Sequence, residues 1–486
     1  MLGTVESLAR LVADSRACQA ALRSAEAVGA EILLVGGAVR DSFLKGTLSD
    51  DLDFLVLNVA AEQVAQHLAS SQQGCYILLD EGFGIHRVVL FKEDEALGRI
   101  AEVSVDLADA RNNDLVSDLS RRDITFNALA YSLTTGRLYD LFDGLRDLET
   151  QQIRMVSREN LLDDPLRMLR VFRMMSKLPN GTGYVDSETL ACIRENGKKL
   201  LESAPERIHA EFFKLLSAEP AYPALQALAD SGLLEIILPE LAGCRTVPAN
   251  THHHLPLFEH TLEVARQCEV WLPQLPEFAQ RMIRAPFNPT VSLAGLVKLA
   301  ALLHDVGKPQ TMVVVNAEKT TFHGHDAVSE EMTEEIFRRW RAGREPEQLV
   351  RKLVRWHLYP CQFGPESSRK AVLRFFRRMG ADAPALILLA LADRFSTCGP
   401  AISAEDLGNA RRNHLWLLDQ FETEQAVLSQ PRLVTGNDLL TSLSLSPGPV
   451  IGKLLAGIEE AQQLGELRSK EEALAWAAQT LQREPL

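Results

Sequence analysis

The chain has 486 residues, 46% hydrophobic and 24% charged, the composition of a globular protein long enough for about two to four domains with cores of their own. Its net charge of −14 argues against an indiscriminate nucleic-acid binder, because nonspecific RNA affinity comes mostly from neutralising phosphates; only local basic surfaces such as residues 338–344, 351–356 and 369–378 remain as candidates. Seven cysteines, odd in number and without a CxxC pair, exclude a disulfide framework and a thiolate zinc site and predict free thiols in a reducing cytoplasm.

The N-terminal residues MLGTVESLARLVADS lack a basic segment followed by an apolar core, so no secretory signal is expected. Residues 5–28 carry apolar side chains at helical spacing (Leu8, Leu11, Val12, Ala17, Ala20, Leu22) and should pack on the first strand. That strand is the run Ile32, Leu33, Leu34, Val35, stopped at Gly36-Gly37 by a turn that needs bare backbone. A second extended run carries Asp51 and Asp53. Residues two apart on a strand share a face, so both carboxylates point to one side, where they offer oxygen ligands to a divalent metal. A DxD standing alone is more often a solvated acidic cluster. Val64 to Leu68 predicts a helix, residues 76–91 two strands about a glycine turn, and residues 100–111 a further strand. No apolar run reaches membrane-spanning length, since the longest are broken by Lys298 or Asp393.

LVGGAVRD followed by DDLDF resembles the opening motif of the class II tRNA nucleotidyltransferase and bacterial poly(A) polymerase family, within the polymerase beta superfamily. The resemblance implies nucleotide addition to an RNA 3′ end, with two Mg²⁺ held by Asp51 and Asp53 to activate the 3′ hydroxyl and neutralise the leaving pyrophosphate. It puts Gly36, Gly37 and Arg40 at the triphosphate, where bare backbone N–H groups approach the oxygens closely. The third strand carboxylate of the family falls at Asp106, with Glu102 the competing position. DLSRRDITFNALAY resembles the second motif, with Ile-Thr-Phe-Asn in place of Phe-Thr-Ile-Asn. In it Arg122 neutralises phosphate oxygens, Asp123 orients that arginine or the ribose, and Asn127 belongs to the same nucleotide site.

LYDLFDGLRDLE resembles the third motif, whose Asp143-Gly144 turn joins the head to a helical neck. In ENLLDDPLRMLRVFRMM, Asp164 and Arg167 are three apart and hence expected on one helical face, offering an acceptor pair and a donor fork. The segment resembles the family's EDxxR motif, here with Asp163 for the Glu. That resemblance implies that the pair reads the Watson–Crick edge of the incoming base in place of a template, with Arg170 and Arg173 continuing the basic face toward phosphates. APERIHAEFFKLL resembles the last neck motif, in which Glu206, Arg207 and Glu211 brace the neck helices.

His260, the pair His304-Asp305, then His325, His357 and Asp393 follow in an order that resembles the HD phosphohydrolase superfamily. An adjacent His-Asp pair supplies one neutral nitrogen and one anionic oxygen to a divalent ion, and distant helices contribute the remaining ligands. The resemblance implies a divalent transition metal or Mg²⁺ on His260, His304, Asp305 and Asp393, with His325 and His357 available for a second ion. Its implied activity is hydrolysis of 2′,3′-cyclic or monoester phosphates at RNA ends. Toward the C-terminus, a segment in which Gly448-Pro449 opens a helix resembles the part of the family that contacts the tRNA body.

The expected fold class is α+β: a small polymerase-beta-like mixed-sheet head at 1–148, a helical neck at 149–248, an HD domain at 249–398 and a helical tRNA-binding tail at 399–486. The link NNDLVS before Asp118 is shorter than the loop that full CCA-adding members carry there to switch from C to A. CC addition from CTP therefore ranks first, complete CCA addition from CTP and ATP second, and poly(A) addition third, all on an RNA 3′ end in the cytoplasm. A reading of a different class makes the head a nucleotide-binding relic and the HD domain the working enzyme.

Overall fold

Strand β1 (Glu31–Val35) has Ile32, Leu33, Leu34 and Val35 all buried, in a computed structural model that describes residues 2–82, 84–94, 98–250, 253–316 and 319–483. Six further strands complete its sheet: β2 (Asp51–Leu57), β3 (Cys75–Asp80), β4 (Ile85–Asp94), β5 (Gly98–Asp109), β6 (Leu129–Ser132) and β7 (Leu138–Asp140). Their spatial order is β3-β4-β5-β2-β1-β6-β7, and every neighbouring pair is antiparallel except β2 with β5. The expected mixed sheet is therefore present, with one parallel pair at its centre. Leu33, Val35, Leu55, Leu57 and Ala130 fill one face of it, and the helix Ala61–Gln72 buries Val64, Ala65 and Leu68. The helical spacing at the N-terminus becomes two helices, Val5–Asp14 and Arg16–Val28, because Ser15 ends the first and its hydroxyl caps the second at the Cys18 N–H.

Chain contacts divide the molecule into two units, Met1–Ile237 and Leu238–Leu486. The first holds the sheet and the neck, where the structure corrects the expected single helical face for Asp164 and Arg167. One helix, Arg158–Asp163, ends at Asp164, which is extended (φ −134°, ψ 91°), and a second, Leu166–Met175, begins after Pro165. Proline has no N–H to give the preceding turn and pushes the residue before it out of the helical region. The two side chains still meet, at 4.0 Å, across the break.

The second unit is helical. Leu293–Leu303 is buried from Ala294 to Leu303, and its one charged side chain, Lys298, is paired with Glu269 at 2.9 Å. His304 follows it directly. Val434, Leu439, Leu454 and Ile458 form a separate small core in the tail, around the helix Pro449–Gln463. All seven cysteines are free thiols. Among the described residues no helix is long and apolar enough to cross a membrane.

Asp143 adopts a left-handed conformation (φ 58°) and starts the helix Gly144–Thr150. A Cβ on Gly144 would lie 2.6 Å from the Thr125 carbonyl oxygen and 2.9 Å from the Phe126 Cα, so the chain passes here with no room for a side chain. Gly144→Ala is expected to destabilise the first unit by about 1–3 kcal/mol through this overpacking, read as a lower Tm. An unchanged Tm would contradict the close approach.

Candidate functional site

The lone parallel pairing sets the geometry of the head. Its register places Asp53 of β2 opposite Asp106 of β5, and the antiparallel register of β4 places Arg87 opposite Asp106. Arg87, Asp106 and Asp53 thus form one row across three strands, while Leu52, on the other face, is buried in the core. The Arg87 guanidinium grips Asp106 with two hydrogen bonds, at 2.7 and 2.8 Å, and stands 3.6 Å from Asp51. Among the described residues Asp53 has no hydrogen-bond or ion-pair partner. Burial pushes its carboxyl up to about 6, helped by Asp106 and Asp51 and opposed by Arg122.

An inward carboxylate without a partner, flanked by two others on the same face, fits a divalent cation bound through oxygen. The three are not closed into a ligand-distance set, however, since the described groups of metal-type ligands within 4.8 Å of one another lie elsewhere. The side chain of Glu102, the competing third carboxylate, lies outside the described residues.

A cavity of about 910 Å³ is lined by Gly36 and Gly37 at one wall and by Arg122, Arg167, Arg170 and Arg173 at another. Gly36 has φ +65°, and an added Cβ would approach Arg122 Nη1 to 3.4 Å. Bare backbone therefore faces the arginines. Arg40 is buried, donating to Asp41 and to the Asn127 side-chain oxygen, each at 2.7 Å; the Asn127 amide in turn donates to Asp123 at 3.1 Å. Asp123 thus orients Asn127, and Arg122 takes Asp118 as its partner, at 3.1 Å.

In the neck, Arg167 Nη1 donates to the carbonyls of Arg121 (2.7 Å) and Asn160 (3.2 Å). Its Nε, like that of Arg170, is buried without a hydrogen-bond partner. Arg207 pairs with Asp164 at 3.1 Å, and Arg173 and Arg170 both face Glu211, so Arg207 and Glu211 do tie the neck helices together.

In the second unit all six expected HD residues converge. His260 Nε2 lies 3.2 Å from Asp393 and 3.7 Å from Asp305; His304 Nε2 lies 3.2 Å from Asp305 and 3.7 Å from Asp393. His325 Nε2 is 3.2 Å, and His357 Nε2 3.9 Å, from the other Asp305 oxygen. Ligand-distance sets form as His260, His304 and Asp393, and as His304, Asp305 and His357.

The Nδ1 atoms of His304, His325 and His357 sit 2.8, 2.8 and 2.7 Å from the carbonyls of Ala301, Phe322 and Val354. A carbonyl only accepts, so Nδ1 carries a hydrogen and each ring turns Nε2 inward. Buried Nε2 atoms of His260, His304 and His325 and Oδ1 of Asp305 have no hydrogen-bond partner. These orphaned acceptors fit a divalent ion. Burial works against charge on His304, but the Asp305 and Asp393 carboxylates beside it carry it up to about 10. Burial and His304 push His357 down to about 4.

Sequence reasoning missed Arg87, whose only local signal is a lone cation inside an apolar strand. It also missed Asn160, whose amide holds the carbonyls of Ser120 and Arg122 at 2.7 and 2.8 Å. In the second unit it gave no role to Lys308, paired with Asp305, and missed half-buried His253, whose ring centre is 4.8 Å from that of His260. The HHH run that precedes His260 was the available sign of the latter.

A mixed sheet carrying paired carboxylates beside a glycine turn and an arginine-lined cavity, on a chain that also holds an HD ligand cluster, defines a nucleotidyltransferase of the polymerase beta kind joined to an HD domain. Family matches follow the same order: the poly A polymerase head domain over residues 32–154, the probable RNA and SrmB-binding site of polymerase A over 184–244, the HD domain over 257–398, and the putative domain 2 of tRNA nucleotidyltransferase over 416–478.

The chain belongs to the tRNA nucleotidyltransferase family. It is 33% identical over 460 residues to the A-adding tRNA nucleotidyltransferase of Deinococcus radiodurans, covering 92% of this chain and 96% of that one. It is 32% identical over 451 residues to the CC-adding tRNA nucleotidyltransferase of Thermus thermophilus, covering 91% and 92%. Two solved structures share the fold: a CCA-adding enzyme with CTP (TM-score 0.63, 19% identity, 99% of each chain) and the Thermotoga maritima CCA-adding enzyme complexed with tRNA (TM-score 0.60, 19% identity, 99% of each chain).

Removing Arg87 leaves Asp106 without its two-pronged partner beside two other carboxylates. Arg87→Ala is expected to destabilise the head by about 1–3 kcal/mol, the usual cost of stranding a partly buried charge, read as a lower Tm. Wild-type stability in this variant would contradict the role of Arg87 as the counter-charge of the row.

Proposed function

We propose that the chain extends the tRNA 3′ end, and that within this activity it adds CC from CTP. The observation that carries the first part is the unpartnered Asp53 carboxylate, lifted to about 6, in a row with Asp106 on the sheet that also bears Gly36 at the arginine-lined cavity. Supporting the second part is the short link after β5: a turn at Arg111–Asn113 runs into the helix Leu115–Leu119, which Asp114 caps, and no room is left for a long switching loop. A-addition is the second reading, favoured by the 33% identity to the Deinococcus radiodurans relative. Complete CCA addition shares the same head and neck residues.

Asp51, Asp53 and Asp106 would hold Mg²⁺, which when bound would supply positive charge to favour ionisation of the 3′ hydroxyl and offset that of the pyrophosphate. The chain does the rest by binding and orientation. Gly36 and Gly37 bring backbone N–H groups at the start of the helix Gly37–Lys45 to the triphosphate, and Arg40 and Arg122 face its oxygens. Asp123 and Asn127 form a hydrogen-bonded support beneath Arg40, while Asp164 and Arg167 read the base. Arg170 and Arg173 extend the positive wall toward phosphates. In the HD domain, His260, His304, Asp305, His325, His357 and Asp393 would hold divalent metal, which when bound would supply the charge for hydrolysis of phosphate esters at RNA ends.

Purified protein with Mg²⁺, labelled CTP or ATP supplied separately, and tRNA ending at the discriminator base or at CC decides among these. C without A is the expected outcome. Incorporation of A alone, on tRNA ending in CC, selects the second reading; no incorporation, with phosphatase activity intact, leaves the HD domain as the working enzyme. Asp53→Ala is expected to lower turnover by about 10³-fold or more while tRNA binding stays within about twofold, since it removes metal charge at the reacting oxygens but not the RNA contacts. Arg167→Ala should reduce discrimination between CTP and other nucleotides by about 10–100-fold, the worth of a good hydrogen-bond pair on a base edge. Unchanged selectivity removes that residue from base reading. His304→Ala with Asp305→Ala should abolish phosphate-ester hydrolysis and preserve nucleotide addition; joint loss of both activities would contradict two separate sites.

A further inference from the structure

RNA binding by a chain of net charge −14 needs a place where cations locally outnumber anions. The second unit has one that the HD ligands do not use. Tyr359, Arg374, Arg377 and Arg378 line an open cavity of about 500 Å³. On the helix Arg369–Met379, Lys370, Arg374, Arg377 and Arg378 fall at positions three and four apart, hence on one face, while Val372, Leu373, Phe375, Phe376 and Met379 are buried.

Three of the four cations on this face meet one carboxylate. Glu460, from the helix Pro449–Gln463, receives Lys370 at 2.6 Å, Arg374 through two bonds at 2.8 and 2.9 Å, and Arg377 at 3.3 Å. Those partners, Arg374 first, hold the Glu460 carboxyl at about 2, so it stays ionised; four cations less one carboxylate leaves three positive charges in excess.

Arg378 is the distinctive member. Among the described residues it has no hydrogen-bond or ion-pair partner, yet its guanidinium is placed, 4.5 Å from the Trp356 ring centre and 6.0 Å from that of Tyr359. Stacking on aromatic faces orients a guanidinium without consuming its N–H donors. A cluster serving only as a brace would match its charges. This one holds an excess of them around a concavity, which favours an anion with several phosphate oxygens.

We propose that this cavity binds the phosphodiester backbone of the tRNA, with Arg378 as its central donor. The inference rests on the reading of tRNA as substrate. Its chemistry, phosphate on stacked and forked arginines, is shared by a free nucleotide, and the experiment separates the two.

The full-length protein is titrated with tRNA at several salt concentrations by filter binding, as wild type, Arg378→Ala and Arg378→Lys, with KM and kcat measured on tRNA and CTP. For Arg378→Ala the Kd for tRNA should rise about 3–10-fold and the slope of log Kd against log salt should fall by about 1, with kcat at saturating tRNA and KM for CTP unchanged. Arg378→Lys keeps the charge but not the planar fork, so its salt slope should stay at the wild-type value while its Kd is intermediate. That pattern separates phosphate contact from folding should Arg378→Ala lower the Tm. Wild-type Kd and slope in both variants overturn the proposal. A raised KM for CTP with tRNA affinity unaltered also overturns it and assigns the cavity to a free nucleotide. Wild-type protein with no affinity for tRNA overturns the parent reading itself.

Discussion

The mutual repulsion of carboxylates on adjacent strands is the constraint around which the head is organised. Neighbouring strands run about 5 Å apart, and two like charges at that spacing repel by about 3 kcal/mol at an effective dielectric of ~20. Asp53 and Asp106 are register partners in the parallel pair β2 and β5, with Asp51 two residues away on the same face. The sheet tolerates this because Arg87 holds Asp106 from one side and Arg122 draws on Asp53 from the other. What is left is a carboxyl pushed up to about 6, by burial first and by Asp106 and Asp51 after it, an unfavourable charge that the protein's own cations only partly offset and that a divalent cation would relieve.

The two candidate metal sites prepare their ligands by different physics. In the head, carboxylates lie on one strand face and are balanced by the guanidiniums of Arg87 and Arg122. In the HD domain most of the ligands are buried, and the carbonyls of Ala301, Phe322 and Val354 hold the Nδ1 side of three histidine rings, so that each Nε2 is aimed inward by the fold itself. The helix Leu293–Leu303, buried from Ala294 onward, anchors that geometry by placing His304 at the end of a packed rod.

Much of this was legible in the amino-acid sequence where the signal was local. The run Ile32 to Val35, the DxD that follows and the His-Asp pair each state their structure within a few residues, and the HD ligands could be placed by their order alone. Arg87 was not legible, because its meaning lies in a strand register linking it to a residue 19 positions away. The partner of Arg122 was hard to read for a related reason: Asp123, expected to orient Arg122 or the ribose, has its carboxylate turned to Asn127, and Asp118, four residues before Arg122, takes the guanidinium. Pro165 was a missed local cue; a proline inside a helical pattern breaks it, and Asp164 and Arg167 meet across that break instead of along one helix.

A crystal of the protein soaked with CTP and Mg²⁺ tests the central claim most directly. The account predicts triphosphate density between the Gly36 turn and Arg122, with cation density on the Asp53 carboxylate and Arg87 drawn back from Asp51. Ordered triphosphate bound away from that turn, with no cation at Asp53, would contradict it.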